Sequence, residues 1–281
     1  MPKICKRLLQ YTLMAVLSLV FLFPIIWTTI SSFQTEQNIV AFPPQIIPDP
    51  FIIDNYINVI TRFPYLNWMV NSIVVTISSV LLILIISSLA AYPLARMDFR
   101  FKKLLFSLIV AMMLIPIQGY MIPLFLMLSR VGMRSTPQLS TLSLILTAGA
   151  NITSLFILTS FFKDIPLSLE ESARIDGCSH FRFFIGIMIP LSKAALSSVA
   201  ILTFITSWNQ FMWPSIVLTG ARHLTLPVGI ARHFSAAGHD AAFSYGPALA
   251  SAVMAIVPTM IVFLALQRYF VEGIATSGIK G

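Results

Sequence analysis

Six stretches of this chain contain no Asp, Glu, Lys or Arg: residues 8–35, 63–95, 104–129, 135–162, 194–221 and 241–267. They hold 28, 33, 26, 28, 28 and 27 residues, and every other interval between charged residues is 12 or shorter. A helix of about 20 apolar residues crosses a ~30 Å hydrocarbon core. Each stretch therefore holds one span, and none comfortably holds two. Lipid-exposed backbone must satisfy its own hydrogen bonds, which makes the spans helices. The chain is 57% hydrophobic and 10% charged, against about 25% charged in soluble domains. That excludes a disordered chain, a coiled coil and nearly all soluble enzymes. The expected fold is an all-α integral membrane protein of six transmembrane helices. The expected spans are about 8–31, 67–95, 104–129, 138–162, 194–219 and 243–267, in a single domain over 1–281.

The net charge of +8 suggests nucleic acid until the charges are placed. With six spans, both termini lie on one side. Lys3, Lys6, Arg7, Arg96, Arg100, Lys102, Lys103, Lys163, Arg174, Arg182, Lys193, Arg268 and Lys280 fall there, thirteen in all. Arg62, Arg130, Arg134, Arg222 and Arg232 fall on the other side. The positive-inside rule then makes the termini cytoplasmic. No cytoplasmic segment is large enough for a folded basic module, so no nucleic-acid partner is expected. The basic start followed by Leu8–Ile30 is too long for a signal peptide, and no Ala-x-Ala site follows it. An uncleaved first span is expected. Cys5 and Cys178 indicate neither a disulfide nor a zinc site.

The first external loop, about 32–65, carries Pro43, Pro44, Pro48 and Pro50 and is expected to be extended. The third, 222–240, holds His223, His233 and His239. Their spacing fits no zinc pattern, so solvated loop histidines are expected. The cytoplasmic segment 163–193 is more organised. Ser168 and Glu171 have capping-box spacing, which predicts a short helix over 169–176. Gly177 can take the left-handed conformation that ends it. Ser179 can cap a second helix, limited by Pro190. On that helix Phe181, Phe184, Ile185 and Met188 form one apolar face. The segment is either an interfacial connector or a docking element. Glu170, Glu171, Arg174 and Asp176 leave its first helix charged, which lipid disfavours.

No span contains an ionisable Asp, Glu, Lys or Arg, which weakens an ion-coupled carrier acting alone. There is no base-plus-nucleophile set and no zinc-ligand spacing within the spans, which weakens a membrane enzyme. There is no G-x-x-x-x-G-K-[ST] phosphate loop either, so ATP hydrolysis is not expected of this chain. Transport would draw its energy from another polypeptide through segment 163–193. Uncharged polar residues do occur in the spans: Asn71, Gln118, Asn151, Asn209 and Gln210, with Trp208 and Trp213 beside the last two. Pro116, Gly119 and Pro123 should bend or open the third span. Amides and aromatic rings suit a polyol path, and broken helices near the midplane are where transporters bind or gate. For any single one of these residues helix–helix packing is the favoured explanation, since polar residues in spans more often join helices than touch substrate.

Glu171-Ser172-Ala173-Arg174-Ile175-Asp176-Gly177, with Pro190 thirteen residues later, resembles the EAA motif of ABC importer permeases, in its carbohydrate-uptake, maltose-type form. Ala90 to Arg96 is similar to the end of that family's second span, Met113 to Arg130 to its third, and Trp208 to Pro214 to its fifth. Gln267 to Val271 and the tail to Gly281 are similar to its C-terminus. Ser172, Cys178, Ile189 and Ala194 depart from the pattern by small or apolar exchanges. The resemblance implies a MetI-like permease in the bacterial cytoplasmic membrane. It implies a second homologous permease subunit, two copies of an ATP-binding subunit carrying ATP and magnesium, and an extracytoplasmic sugar-binding protein. Glu170, Glu171, Ala173, Asp176, Gly177 and Pro190 would couple the chain to the ATPase. Gln118, Asn151, Trp208, Asn209 and Gln210 would be path candidates. No cofactor or metal is expected on this chain.

Overall fold

The computed structural model describes residues 3–234 and 244–277. Within them the chain is helical, with no strands. The helices are α1 (Lys3–Ser31), α2 (Glu36–Ile39), α3 (Asp54–Arg62), α4 (Tyr65–Arg96), α5 (Lys102–Met112), α6 (Ile117–Arg130), α7 (Pro137–Ala148), α8 (Ile152–Asp164), α9 (Leu167–Ile175), α10 (His180–Phe183), α11 (Ile189–Leu191), α12 (Lys193–Trp208), α13 (Met212–Val217), α14 (Leu226–Phe234) and α15 (Tyr245–Ser277). A π turn, Phe184–Met188, joins α10 to α11.

Four segments are long and apolar enough to cross a membrane: Arg7–Ser31, Tyr65–Arg96, Pro137–Asp164 and Tyr245–Ala265. Two further pairs qualify only if each bent pair is one span: α5 with α6, bent by 98°, and α10–α11 with α12, bent by 75°. The described helices thus offer four to six spans. The break in the third charge-free stretch falls at residues 113–116. There Pro116, lacking an N–H, serves as the N-cap of α6. The fourth and fifth stretches also break, which their composition did not suggest. Asn151 caps α8 after an interruption at 149–151, accepting from the Ser154 N–H at 2.9 Å. Residues 209–211 separate α12 from α13.

The chain forms two compact units. One comprises residues 1–66 and 229–258. The segment 32–65 is not simply extended, since it carries α2 and α3. The Glu36 carboxylate accepts from Ser244 Oγ at 2.7 Å and from the backbone N–H groups of Tyr245 and Gly246 at 2.8 and 3.2 Å. An anion is thereby placed on the free N–H groups at the start of α15, where the helix dipole favours it. Buried Asn55 donates to the carbonyls of Ser32 and Gln34, both at 2.9 Å. Tyr65 donates to the Ser251 carbonyl at 3.1 Å. His233 lies on α14, its Nδ1 at 3.1 Å from the Gly229 carbonyl and its ring edge-on to Phe63. It is therefore a helix residue, not a loop histidine. His239 lies outside the described residues.

The second unit comprises residues 67–228 and 259–281. Near the start of α4, Trp68 Nε1 donates to the Ala221 carbonyl at 2.7 Å. Asn71 donates to the carbonyls of Arg222 and Leu224 at 3.0 and 3.1 Å, and Ser72 Oγ accepts from the Leu226 N–H at 2.7 Å. Leu224, Leu226 and Val228 are fully or almost fully buried. What composition suggested was a solvated loop is therefore partly a packed segment, because α4 supplies the side chains that satisfy its backbone. Arg134 donates to the carbonyls of Ile216 and Val217 and stacks on Phe125 at 4.1 Å. It places a cation on the last carbonyls of α13.

Candidate functional site: the segment between Pro166 and Pro190

Helix α9 starts one residue after Pro166, which has extended backbone (φ −55°, ψ 134°) and no side-chain cap. The Ser168–Glu171 capping box is therefore not what starts this helix. Proline, which has no N–H to satisfy, fixes the start two residues earlier, and Ser168 lies in the first turn. The other end is as the sequence predicts. Gly177 has φ +74°. Its N–H bonds the Arg174 carbonyl at 3.0 Å, and the Cys178 N–H bonds the Ala173 carbonyl at 2.9 Å. Together these form a complete Schellman stop. Ser179 Oγ then accepts from the Arg182 N–H at 3.3 Å and starts α10.

A side chain at 177 would meet nothing within 4 Å, so the demand for glycine is conformational rather than steric. Gly177→Val is expected to cost roughly 1–3 kcal/mol, because a β-branched residue fits the left-handed region poorly. Gly177→Asn, which tolerates that region, should cost much less. Thermal unfolding of both purified variants checks the difference, and equal losses would contradict it.

Pro190 does not simply end the second helix. The Ile189 N–H bonds the Phe184 carbonyl five residues back, and the chain passes the proline in this wider turn before bending at Ser192. Phe183, Phe184 and Met188 are buried, whereas Phe181 and Ile185 are exposed, so the face drawn through 181, 184, 185 and 188 is corrected. Met188 is fully buried among Ala91 and Tyr92 of α4, Leu158 and Phe162 of α8, Ala173 of α9 and Val199 of α12. Burying a side chain of this size stabilises by about 1.5–3 kcal/mol, so the segment is fastened to three long helices.

The motif residues divide between two sides of α9. Glu170 and Ala173 are buried and face this core. Glu171, Ser172, Asp176 and Gly177 are exposed. Ile175 is 87% exposed, and Phe181 and Ile185 are exposed as well. Pro190 is also exposed. Glu170 Oε1 accepts from Arg174 Nη2 at 2.9 Å. Arg174 Nη2 also lies 3.2 Å from His180 Nε2. With Nε2 accepting there, Nδ1–H is left to donate to Tyr92 Oη, 3.1 Å away. Arg96 Nη2 donates to the Ile165 carbonyl. Tyr92, Arg96 and His180 are the site residues that motif reading missed. The only local signal was an aromatic and an arginine one turn apart at the end of a span.

The path candidates do not converge. An apolar cavity of about 520 Å³ is bordered by Ile86, Met112, Tyr120, Thr147 and Asn151, among others. Of the five candidates only Asn151 lines it, and the Asn151 side-chain oxygen is engaged in its cap. Trp208 is buried and stacks on Phe204 with centroids 5.8 Å apart. Asn209 donates to the Ile205 carbonyl of its own helix at 2.8 Å. Gln118 is exposed and Gln210 half-buried. Packing and capping thus account for Trp208, Asn209 and the Asn151 oxygen.

Residues 83–276 match the family described as binding-protein-dependent transport system inner membrane component. The chain belongs to this family. It is a permease component of an ABC transport system and resides in the inner membrane. Among its relatives are an arabinooligosaccharide transport system permease of Halalkalibacterium halodurans, 33% identical over 95% of this chain and 94% of that one, and a trehalose/maltose transport system permease of Thermococcus litoralis, 31% identical over 99% of both. The permease also shares its fold with a chain of a bacterial ABC transporter involved in the import of the acidic polysaccharide alginate. That match has a TM-score of 0.83 and 23% identity, and covers 95% of this chain and 96% of the other.

Proposed function

We propose that this permease imports a sugar or oligosaccharide, and that α9 is the helix through which ATPase subunits drive it. The sugar transport named for the relatives supports the substrate class. The observation that carries the coupling role is the two-sided construction of α9. Its inner side is packed against α4, α8 and α12, and its outer side carries Glu171, Asp176 and Ile175 as exposed side chains. Charged and apolar side chains exposed together on one short helix suit a protein cleft better than lipid.

In this reading the six charge-free stretches are six spans with cytoplasmic termini. A second homologous permease completes the pathway, two ATP-binding subunits hold ATP and magnesium, and an external binding protein delivers the sugar. A stand-alone carrier or a non-transport assembly protein finds no support in the relatives. Purification with the co-expressed ATPase, companion permease and binding protein, followed by a sugar screen of the binding protein, tests the proposal. Solute accumulation by this chain alone in liposomes would overturn it.

Gln118 and Gln210 are the path candidates that packing and capping do not account for, and Gln118 is the more exposed of the two. Gln118→Leu is expected to change the relative uptake of two sugars several-fold with assembly intact. Equal loss for both sugars, with poor assembly, would make it a packing residue.

A further inference from the structure

Both ends of α9 are tied to one face of α4. Just before α9, the Ile165 carbonyl accepts from Arg96. Just after it, His180 bonds Tyr92. Tyr92 and Arg96 stand four residues apart, one above the other on the same side of a helix. The Tyr92 ring is backed by the core that also holds Phe184, whose ring centroid lies 5.2 Å from that of Tyr92. At its other end the same helix holds the segment Ala221–Leu226 through Trp68, Asn71 and Ser72. Helix α4 runs as one helix for 32 residues, with Pro93 inside its last turn, about 48 Å at the α-helical rise, whereas α5–α6, α7–α8 and α12–α13 are all interrupted. An uninterrupted helix pinned by side-chain hydrogen bonds at both ends carries displacement as one body; a broken one absorbs it.

We propose that Tyr92 and Arg96 are positioning residues that clamp α9 at both ends, so that α4 delivers α9's displacement to the segment Ala221–Leu226. This rests on α9 being driven by an ATPase. The clamp makes a sharp chemical demand: the Tyr92 hydroxyl matters, not only the ring. Tyr92→Phe keeps the ring against Phe184 and removes only the bond to His180.

The test uses the complete transporter in nanodiscs. Cys5→Ser and Cys178→Ala remove the native thiols, and Arg222→Cys supplies one thiol at an exposed position of the far segment. The rate of reaction with a maleimide dye is compared without nucleotide and with Mg-ATP plus vanadate, alongside ATP hydrolysis. In the parent, nucleotide trapping is expected to change the labelling rate at least threefold. Tyr92→Phe is expected to bring the ratio to within 1.5-fold of unity while hydrolysis continues. His180→Phe cuts the same bond from the other side and should do the same. The double variant should lose no more than His180→Phe alone, which lacks the Tyr92 bond and also gives up the contact with Arg174.

A full nucleotide response in Tyr92→Phe and His180→Phe would overturn the clamp. So would a parent complex that hydrolyses ATP without any change at position 222. A purified complex with no ATP hydrolysis at all would instead strike at the functional reading. If Tyr92→Phe fails to assemble, His180→Phe decides alone.

Discussion

Glu171→Lys is expected to leave the permease inserted and folded but to abolish sugar uptake, by tenfold or more. The side chain is exposed on the outer side of α9 and makes no contact that the fold needs, so the reversed charge costs little stability; surface substitutions of this kind stay within about 0.5 kcal/mol. At a protein cleft built for a carboxylate, the same change turns an attraction into a repulsion between partly desolvated charges, a change of several kcal/mol. Uptake into cells, membrane abundance of the subunit and ATPase co-purification separate these effects. Normal abundance with lost uptake and weakened co-purification is the expected result. Wild-type uptake would remove Glu171 from the coupling role. Glu170, its neighbour, should behave in the opposite way. Glu170 is only 5% exposed and its carboxylate is bonded to Arg174, so replacing it disturbs the fold before any docking.

Gly246→Ala is expected to destabilise the unit formed by residues 1–66 and 229–258. A Cβ at 246 would lie 2.3 Å from Asn55 Oδ1 and 2.6 Å from its Cγ. Asn55 cannot simply swing away, because its amide is committed to the carbonyls of Ser32 and Gln34. Overpacking a filled site costs about 1–3 kcal/mol, and loss of the two hydrogen bonds would add about 1 kcal/mol each. The same backbone carries the N–H that Glu36 caps, so a shift there also loosens the start of α15. Thermal unfolding of the purified complex should fall by several degrees. In the Asn55→Ala background the added methyl group should cost almost nothing, because the atoms it strikes are gone. A neutral Gly246→Ala in the wild-type background would show that the site relaxes freely.

The two substitutions divide the molecule by what a sequence can reveal. Glu171 belongs to a motif whose spacing is written along the chain, and the reading of a helix stopped at Gly177 and restarted at Ser179 needed only local rules. Those rules act over three to six residues, and the backbone obeyed them: Gly177 turned left-handed and Ser179 took its cap. The Ser168 cap failed for an equally local reason, since Pro166 fixed the helix start first. The face of the second helix was misread because residues 183–189 are almost all apolar, so more than one face has helical spacing, and only packing against α4, α8 and α12 selects Phe183, Phe184 and Met188.

The charge-free stretches and the proline pair around Gln118 determined that this is a helical membrane protein with a broken third stretch. Those features depend on the cost of charge in lipid and on a missing N–H, both carried by the residue itself. Which side of α9 faces inward, that Tyr92 meets His180 across 88 positions, and that Asn71 holds a segment 151 positions away were decided only by the packed structure. Any tyrosine can meet a histidine. Which one does so depends on the mutual placement of helices, set by burial summed over the whole core rather than by spacing along the chain.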